Sequence, residues 1–256
     1  MQTDPEKIIV VNNLSAGYDE NLIFERISFA VKSGEVFIIL GGSGCGKSTL
    51  LKHMIGLFKP LAGEILIEGR DIVQAEGRAK LDILNRIGVM YQSGALFGSM
   101  TLLENIMLPL EEFTRLPEAA RRSVAALKLA MVGLGGFEAH MPSELSGGMQ
   151  KRAAIARAMA LDPKILFLDE PSAGLDPVTS AELDQLILKL SKNLGITFVI
   201  VTHELDSIFT IADRVIMLDK KTKSIIAEGK PEDLKQHTQN ENVRKFFNRQ
   251  VSKDEL

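Results

Sequence analysis

A glycine-rich segment in the first fifth of the chain combines residue types that could surround phosphate groups. Its pattern is a glycine, four further residues, then glycine, lysine and serine. Glycines let backbone N–H groups turn towards phosphate oxygens, a lysine neutralises their charge, and a serine hydroxyl can ligate Mg²⁺. We therefore expect this phosphate loop to bind a nucleoside triphosphate such as ATP. Its residues are Gly41, Gly42, Ser43, Gly44, Cys45, Gly46, Lys47, Ser48 and Thr49.

Two adjacent carboxylates follow an apolar run later in the chain. Asp169 and Glu170 come directly after residues 165–168, a pattern typical of a strand buried on both faces. At the carboxyl end of such a strand, Asp169 suits Mg²⁺ and Glu170 suits the water that attacks a phosphate. A solvated acidic turn is the alternative interpretation. The phosphate loop favours the catalytic interpretation of this acidic pair.

Strand and helix patterns alternate around these segments. A continuous apolar run at 36–40 predicts a buried parallel strand before the phosphate loop, and 48–57 predicts a helix after it. Residues 8–31 show the loose alternation of antiparallel strands, whereas 102–134 has a helical composition. The sequence thus predicts an α/β fold with an antiparallel part and a helical insertion. Other predicted elements are helices at 78–86, 148–159 and 178–193, and strands at 63–69, 88–91 and 196–201.

Composition and charge exclude several classes of protein. The 256 residues carry a formal net charge of −3, so we expect neither a basic surface that coats nucleic acid nor a nucleic-acid partner. A single cysteine excludes an internal disulfide and favours a reducing compartment. No apolar run reaches the roughly 18 residues that a membrane-spanning helix needs, so any membrane role must come through a partner.

A second glycine-containing segment carries the resemblance to a known family. Residues 145–149 read Leu-Ser-Gly-Gly-Met and, with the phosphate loop and the acidic pair, resemble the signature of ATP-binding cassette (ABC) ATPases. The family has glutamine where this chain has Met149, with Gln150 one place later. Because Met149 lacks an amide, contacts to the γ-phosphate would fall to the other residues at the helix start. These are Ser146, Gly147 and Gly148, which would also cap the helix.

The resemblance extends over about residues 8–229 and implies roles for further side chains. Gln92 matches the glutamine that reaches Mg²⁺ and the attacking water, and Tyr18 matches the aromatic residue that stacks on adenine. His203 matches the histidine that senses the γ-phosphate. Asp176 lies in a loop similar to the one that passes between two ATPase subunits. The alternatives are structural: a polar loop residue for Gln92 and a hairpin aromatic covering the sheet for Tyr18.

The family resemblance implies a fold and its boundaries. The implied fold is a P-loop NTPase core, RecA-like, with an antiparallel β-subdomain and an inserted α-helical subdomain. This ABC nucleotide-binding domain would occupy residues 1–240, with the helical subdomain at about 94–158. Residues 241–256 would form a C-terminal tail, in which Val243, Phe246 and Phe247 share one face of a short docking helix or fray into solvent.

The resemblance also implies a dimer. In the family, each ATP lies between the phosphate loop of one subunit and the signature of the other. One chain here holds one of each, so two complete sites require a homodimer or a sister subunit. The residues acting on the partner's ATP would be Ser146, Gly147, Gly148 and Asp176.

Two segments indicate a subfamily. Residues 91–97 and 141–149 look most like the ATPase of Mla-type, MCE-associated phospholipid transporters of double-membrane bacteria. This resemblance implies an inner-membrane permease, a periplasmic MCE-domain protein and a small STAS-domain regulator. The ATPase would then lie peripherally on the cytoplasmic face of the inner membrane. The alternatives are the ATPase of a polar-solute importer, for example for amino acids, and a soluble ABC ATPase that transports nothing.

Cys45 offers a chemical probe of the phosphate loop. If its thiol is exposed without nucleotide, a thiol reagent should inactivate the protein and ATP should protect it.

Overall fold

The chain folds into alternating strands and helices, and the computed structural model describes residues 6–18 and 21–249. The strands are β1 (Lys7–Tyr18), β2 (Asn21–Lys32), β3 (Val36–Gly41), β4 (Ala62–Ile67), β5 (Arg70–Asp71), β6 (Ile87–Met90), β7 (Ile165–Asp169), β8 (Thr197–Val201), β9 (Arg214–Asp219) and β10 (Ser224–Gly229). The helices are α1 (Lys47–Met54), α2 (Gly77–Leu84), α3 (Leu102–Phe113), α4 (Glu118–Met131), α5 (Gly147–Ala158), α6 (Pro177–Leu194), α7 (Leu205–Ile211), α8 (Pro231–His237) and α9 (Glu241–Phe247). Within the described ranges, no helix has both the length and the apolar character needed to cross a bilayer.

The molecule consists of two compact units. The first is Met1–Ala75 together with Thr197–Leu256, and the second is Glu76–Ile196. The phosphate loop and His203 belong to the first unit. The acidic pair, Gln92 and the signature segment belong to the second unit, which also contains the predicted helical subdomain. The expected boundaries of that subdomain and of the whole cassette stay a prediction.

The first unit contains an antiparallel sheet in the strand order β2-β1-β4-β5. Strand β1 pairs with β2 on one side and with β4 on the other. Ile9 and Val11 of β1 are fully buried, as is Ile65 of β4. One apolar face therefore holds this sheet on the core, and the predicted antiparallel strands at the start of the chain are confirmed.

Parallel strands in the first unit lead to the phosphate loop. Strand β3 lies between β8 and β9 and runs parallel to both, whereas β10 is antiparallel to β9. All six residues of β3 are buried, as its continuous apolar run predicts. Ile39 pairs with Val201, which brings the carboxyl ends of β3 and β8 to the same edge. The phosphate loop follows β3 and His203 follows β8, so both lie just beyond this edge of the sheet.

In the second unit, β6 and β7 pair in parallel, and α5 packs closely on β6. A Cβ atom at Gly88 of β6 would lie 2.6 Å from Leu166 Cδ2 and closer still to the carbonyl oxygen of Ala158. Only glycine permits this approach. The contact therefore holds the C-terminal end of α5, the helix that begins at the signature segment, against β6.

The predicted helical region at 102–134 is formed by α3 and α4, which pack together. Thr101 and Glu104 form a capping box at the start of α3. Buried Asn105 accepts a hydrogen bond from the backbone N–H of Phe97 and donates one to the carbonyl oxygen of the same residue. Helix α3 therefore orders the loop that follows Gln92.

The predicted helix boundaries differ from the structure by up to three residues. The helix expected at 48–57 ends at Met54, because the chain turns with a positive φ of 72° at Gly56. The helix expected at 178–193 is α6, which begins one residue earlier at Pro177 and ends at Leu194.

The tail packs on its own chain through α9. Val243 and Phe247 are buried and Phe246 is partly exposed, and the ring of Phe247 lies 5.7 Å from that of Phe209 on α7. The predicted short apolar helix is present, whereas residues 250–256 of the predicted tail lie outside the described residues.

Replacing Gly88 tests the packing of α5. We expect Gly88→Ala to lower the free energy of unfolding by about 2 kcal/mol or more, because no side-chain rotation relieves a clash with the backbone oxygen of Ala158. Urea unfolding followed by circular dichroism measures the change. Gly98→Ala is the control, because nothing lies within 4 Å of a Cβ atom there. Equal stabilities of the two variants would contradict the packing argument.

Candidate active site

The phosphate loop joins β3 to α1 along a path that requires glycine at two points. At Gly41, φ is 150° and a Cβ atom would lie 2.6 Å from the carbonyl oxygen of Leu218. At Gly46, φ is 99° and a Cβ atom would overlap the side chain of Ile23 on β2. The loop is therefore held against neighbouring strands by contacts that any side chain would break.

Lys47 is the first residue of α1, and its side chain reaches back across the loop. Its ammonium group donates hydrogen bonds to the carbonyl oxygens of Gly41 and Gly42, at 2.9 and 3.2 Å. The loop tip at Gly42, Ser43 and Gly44 is exposed. Helix α1 starts without a side-chain hydrogen bond to its first N–H groups. A cation beside an exposed glycine-rich backbone and an uncapped helix start fits a polyphosphate.

Each predicted Mg²⁺ ligand lies at the end of a regular element. Ser48 lies in the first turn of α1, with Thr49 beside it. Asp169 is the last residue of β7, and Gln92 lies exposed in the turn after β6. A hydroxyl, a carboxylate and an amide oxygen are hard donors that suit Mg²⁺. The chemistry of this donor set therefore fits the ion.

The thiol of Cys45 is not exposed, so the condition on which its use as a chemical probe depends is not met. Its side chain is buried, with 3% of the residue exposed, and its sulfur lies where a Cβ atom of Gly41 would be. Burial raises the pKa of the Cys45 thiol, although the nearby charge of Lys47 opposes this. A neutral, enclosed thiol is a poor nucleophile. The tight turn at Gly41, which the sequence pattern does not reveal, places Cys45 inside the loop.

His203 follows β8 by two residues and is exposed beyond that strand's carboxyl end. The buried Thr202 before it accepts a hydrogen bond through its hydroxyl from the backbone N–H of Glu204, at 3.2 Å. This turn directs the chain away from the sheet edge. Tyr18 is the last residue of β1, and its side chain lies outside the described part of the structure. Its predicted role on adenine stays a prediction.

The acidic pair occupies a sharp turn after β7. Glu170 has a φ of 48°, in the left-handed region, where a residue other than glycine is held at a cost of about 1 kcal/mol. The carbonyl oxygen of Glu170 accepts a hydrogen bond from the N–H of Ala173, at 3.2 Å. Burial and, secondarily, the charge of Asp169 raise the pKa of Tyr91. Asp169 therefore acts electrostatically at the start of the loop that contains Gln92.

The signature segment forms the start of α5. Ser146 caps this helix by accepting a hydrogen bond from the N–H of Met149 at 3.3 Å. Gly148 is buried at a point where a Cβ atom would overlap the side chain of Thr179 on α6. The amide of Gln150 donates to the carbonyl oxygens of Pro142 and Leu145 at 3.0 and 3.2 Å, in the turn before α5. Gln150 therefore stabilises the segment internally.

Asp176 caps α6 and adjoins the signature segment. Its carboxylate accepts hydrogen bonds from the N–H groups of Val178 and Thr179 at 3.0 and 3.1 Å. A hydrogen bond from the Thr179 hydroxyl lowers the pKa of Asp176. Leu175 lies 3.4 Å from the position of a Cβ atom on Gly147. The second unit thus brings together the signature and the loop expected to pass between subunits.

Sequence reasoning missed Lys151, which lies on α5 one turn after the signature. This lysine is buried, and its ammonium group donates a hydrogen bond to the backbone carbonyl oxygen of Gln92. Burial lowers the pKa of Lys151, and the charge of Glu170 opposes the shift. The signal that could have indicated it is a lysine on the helix face that it shares with the apolar residues Ala154 and Ile155.

Comparisons with known proteins indicate the family of this chain. Residues 24–173 match the family model described as ABC transporter. The chain is 45% identical over 213 residues, 83% of its length, to the probable ribonucleotide transport ATP-binding protein mkl of Mycobacterium tuberculosis. It is 41% identical over 232 residues, 90% of its length, to MlaF of Haemophilus influenzae, an intermembrane phospholipid transport ATP-binding protein, and covers 87% of it. The chain spans only 59% of the mycobacterial protein.

A solved structure has the same fold. The ATP-binding cassette MJ0796, solved as a dimer in a post-hydrolysis state with ADP and Pi, superposes with a TM-score of 0.78 at 33% identity. The match covers 87% of this chain and 98% of that one. The predicted fold class, a P-loop NTPase core of the ABC type, is confirmed.

A glycine-rich loop between a buried strand and a helix, with a lysine across it, defines the class of P-loop nucleotide-binding proteins. With the family match and relatives above 40% identity, the chain belongs to the ABC transporter family, as the signature segment predicts.

The burial of Cys45 predicts its reactivity. We expect a thiol reagent at pH 7 to label the native protein slowly, with labelling at least about tenfold faster after unfolding in guanidinium chloride, because both enclosure and the raised pKa suppress the thiolate. Mass spectrometry of the intact chain follows the reaction cleanly, since Cys45 is the only cysteine. Equal labelling rates of the native and unfolded chains would show that the loop opens freely.

Proposed function

We propose that this chain binds and hydrolyses ATP as the energy-supplying subunit of an ABC transporter that moves phospholipid. One observation carries the proposal: Lys47 spans an exposed glycine-rich loop at the start of α1. The acidic turn after β7 and the capped signature helix support it. The resemblance to ABC ATPases assigns each of these features to the nucleotide site, which supports the proposal.

ATP binding would use the phosphate loop. Lys47 would exchange its hydrogen bonds to loop carbonyl oxygens for contacts to the β- and γ-phosphates, and loop N–H groups would bind the phosphate oxygens. Tyr18 would stack on adenine. Ser48, Gln92 and Asp169 would hold Mg²⁺, which when bound neutralises phosphate charge and orients the terminal phosphate.

Hydrolysis would depend on residues that follow the strands. Glu170 would orient the attacking water and accept its proton, and the left-handed backbone at this residue supports a special role for it. His203 would donate a hydrogen bond to the γ-phosphate. Gln92 would sense the same site from the loop after β6.

A second ATPase subunit would complete the site. Ser146 and Gly147 are exposed at the start of α5, and Asp176 is exposed at the start of α6. These three residues lie close together in the second unit and would form one surface that contacts the ATP of a partner. The buried Gly148 would take part through its backbone N–H group. A homodimer would place two such surfaces opposite two phosphate loops, and the family's structural relative MJ0796 was solved as a dimer.

An inner-membrane permease would dock on an apolar groove beside the Gln92 loop. The groove has a volume of about 500 Å³ and lies between β6, α3 and α5. Phe97 is 49% exposed there, and the guanidinium group of Arg157 lies 5.7 Å from its ring centre. Arg157 also donates a hydrogen bond to the carbonyl oxygen of Ala95 at 2.6 Å. A permease bound in the groove would therefore be able to shift the loop that contains Gln92 through Arg157.

The relatives favour phospholipid as the transported substrate. MlaF of Haemophilus influenzae aligns along most of both chains, whereas the mycobacterial relative extends well beyond the match. We further propose a periplasmic MCE-domain protein and a STAS-domain regulator as partners, and a peripheral location on the cytoplasmic face of a bacterial inner membrane. A polar solute is the second candidate substrate, because the relative with 45% identity is named for ribonucleotide transport.

Two substitutions separate binding from hydrolysis. We expect Glu170→Gln to retain ATP but to lower kcat about a hundredfold or more, because the amide does not accept a proton. Lys47→Ala should weaken ATP binding at least about tenfold, because the phosphate charge loses its cation. Nucleotide binding and phosphate release by the assembled transporter measure the two effects. Glu118→Gln, which alters an exposed carboxylate on α4, serves as the control. Unchanged turnover in Glu170→Gln would overturn the assignment of Glu170.

The proteins that co-purify with this chain would identify the class of substrate that the transporter moves. A tagged Glu170→Gln chain, purified gently from native membranes with ATP, should bring with it a permease and an MCE-domain protein, identified by mass spectrometry. Lys47→Ala provides the control for dependence on bound nucleotide. Recovery of a permease with a solute-binding protein would support the polar-solute alternative. Reproducible recovery from cytosol without a membrane partner would contradict a role in transport.

A further inference from the structure

The loop that begins at Gln92 lies along α5 and is tied to it at three points. Lys151 donates a hydrogen bond to the carbonyl oxygen of Gln92, and Arg157 donates one to that of Ala95. Between them, the position of a Cβ atom on Gly94 lies 3.4 Å from the Cβ atom of Ala154. The backbone of residues 92–95 thus follows the face of the helix whose first turn carries the signature.

Lys151 differs from the other two ties in its burial and its charge environment. The residue is only 9% exposed, so its ammonium group depends on protein partners in place of water. Its hydrogen bond goes to Gln92 itself, and the negative charge of Glu170 acts on the same ammonium group. One cation therefore contacts the first residue of the loop and interacts electrostatically with the turn that follows β7.

We propose that Lys151 is a positioning residue that holds the backbone of Gln92 on the signature helix, so that Gln92 and Glu170 keep a fixed geometry for hydrolysis. The hydrogen bond to a main-chain oxygen leaves the Gln92 side chain available for its predicted contacts. The effect on hydrolysis rests on the proposed function, whereas the effect on the loop does not.

Lys128 provides a matched control within the second unit. It is a helical lysine that is 4% exposed, and its ammonium group forms an ion pair with Asp162 on the connection before β7. It contacts neither the Gln92 loop nor the acidic pair through that ion pair. Lys128→Met therefore removes a buried ammonium group of the same kind without touching the proposed tie.

The test compares Lys151→Met, Lys151→Arg and Lys128→Met in the full-length chain. Hydrogen exchange of the peptide covering residues 91–97, measured by mass spectrometry without nucleotide, reports how firmly the backbone of this loop is held. We expect exchange in Lys151→Met to be about tenfold faster than in the wild type, because a hydrogen bond from a charged donor is lost. Exchange in Lys151→Arg and Lys128→Met should stay within about twofold of the wild type.

Steady-state hydrolysis by the assembled transporter gives the second measurement. Lys151→Met should lower kcat about tenfold or more while KM for ATP stays within about twofold, because the loop moves and the phosphate loop does not change. Lys151→Arg should recover most of kcat, since arginine keeps a cationic donor.

The outcomes separate the two proposals. Unchanged exchange in Lys151→Met, or faster exchange with unchanged kcat, would overturn the positioning role. An equal fall of kcat in Lys128→Met would also overturn it, since any loss of a buried lysine would then suffice. A third outcome is that Lys151→Met exchanges faster but the wild-type transporter does not hydrolyse ATP. The hydrogen bond between Lys151 and the loop would then stand, whereas the proposed hydrolysis and its dependence on Lys151 would be refuted.

Discussion

The carboxyl end of β3 is the point on which the rest of the first unit depends. A fully buried strand leaves the sheet there and continues through the phosphate loop into α1. The backbone of Gly41 passes so close to its neighbour that a Cβ atom would lie 2.6 Å from the carbonyl oxygen of Leu218. The only backbone that can make this turn is one without a side chain at Gly41. Because the turn is so tight, the next buried group is the Cys45 thiol, and Lys47 can reach back to the loop carbonyl oxygens. The predicted phosphate binding would thus depend on the path of the turn as much as on its residue types.

Helix α5 has the corresponding role in the second unit. It is pressed onto β6 at Gly88, is tied to the turn before it by Gln150, and holds the loop after β6 through Lys151 and Arg157. The signature segment and the loop after β6 are therefore arranged around one helix, and the charge of Glu170 in the acidic turn acts on Lys151 of that helix. The side chains that form these hydrogen bonds, Gln150, Lys151 and Arg157, are not among the residues predicted to bind nucleotide. Their polar groups bond to backbone oxygens, so the geometry depends on the path of the chain more than on individual neighbouring side chains.

The sequence predicted much of the fold because its strongest signals are local. The apolar run of β3, the glycine pattern after it and the acidic pair after β7 are contiguous in the chain, so spacing alone identifies them. The burial of Cys45 and the use of Gln150 within its own segment were not predictable in this way. Both follow from contacts with backbone groups whose position depends on the folded chain. Lys151 belongs to the same class, since its partner lies 59 residues away in the sequence. The roles assigned to individual site residues stay predictions.

The left-handed backbone at Glu170 has a consequence for how this protein balances stability against activity. Glycine would adopt a φ of 48° without strain, so the folded chain would be more relaxed with no carboxylate at this position. The acidic side chain is retained against that conformational preference. A search for stabilised variants that scored folding alone would therefore select glycine at the residue proposed to orient the water, and would discard catalysis while improving the fold.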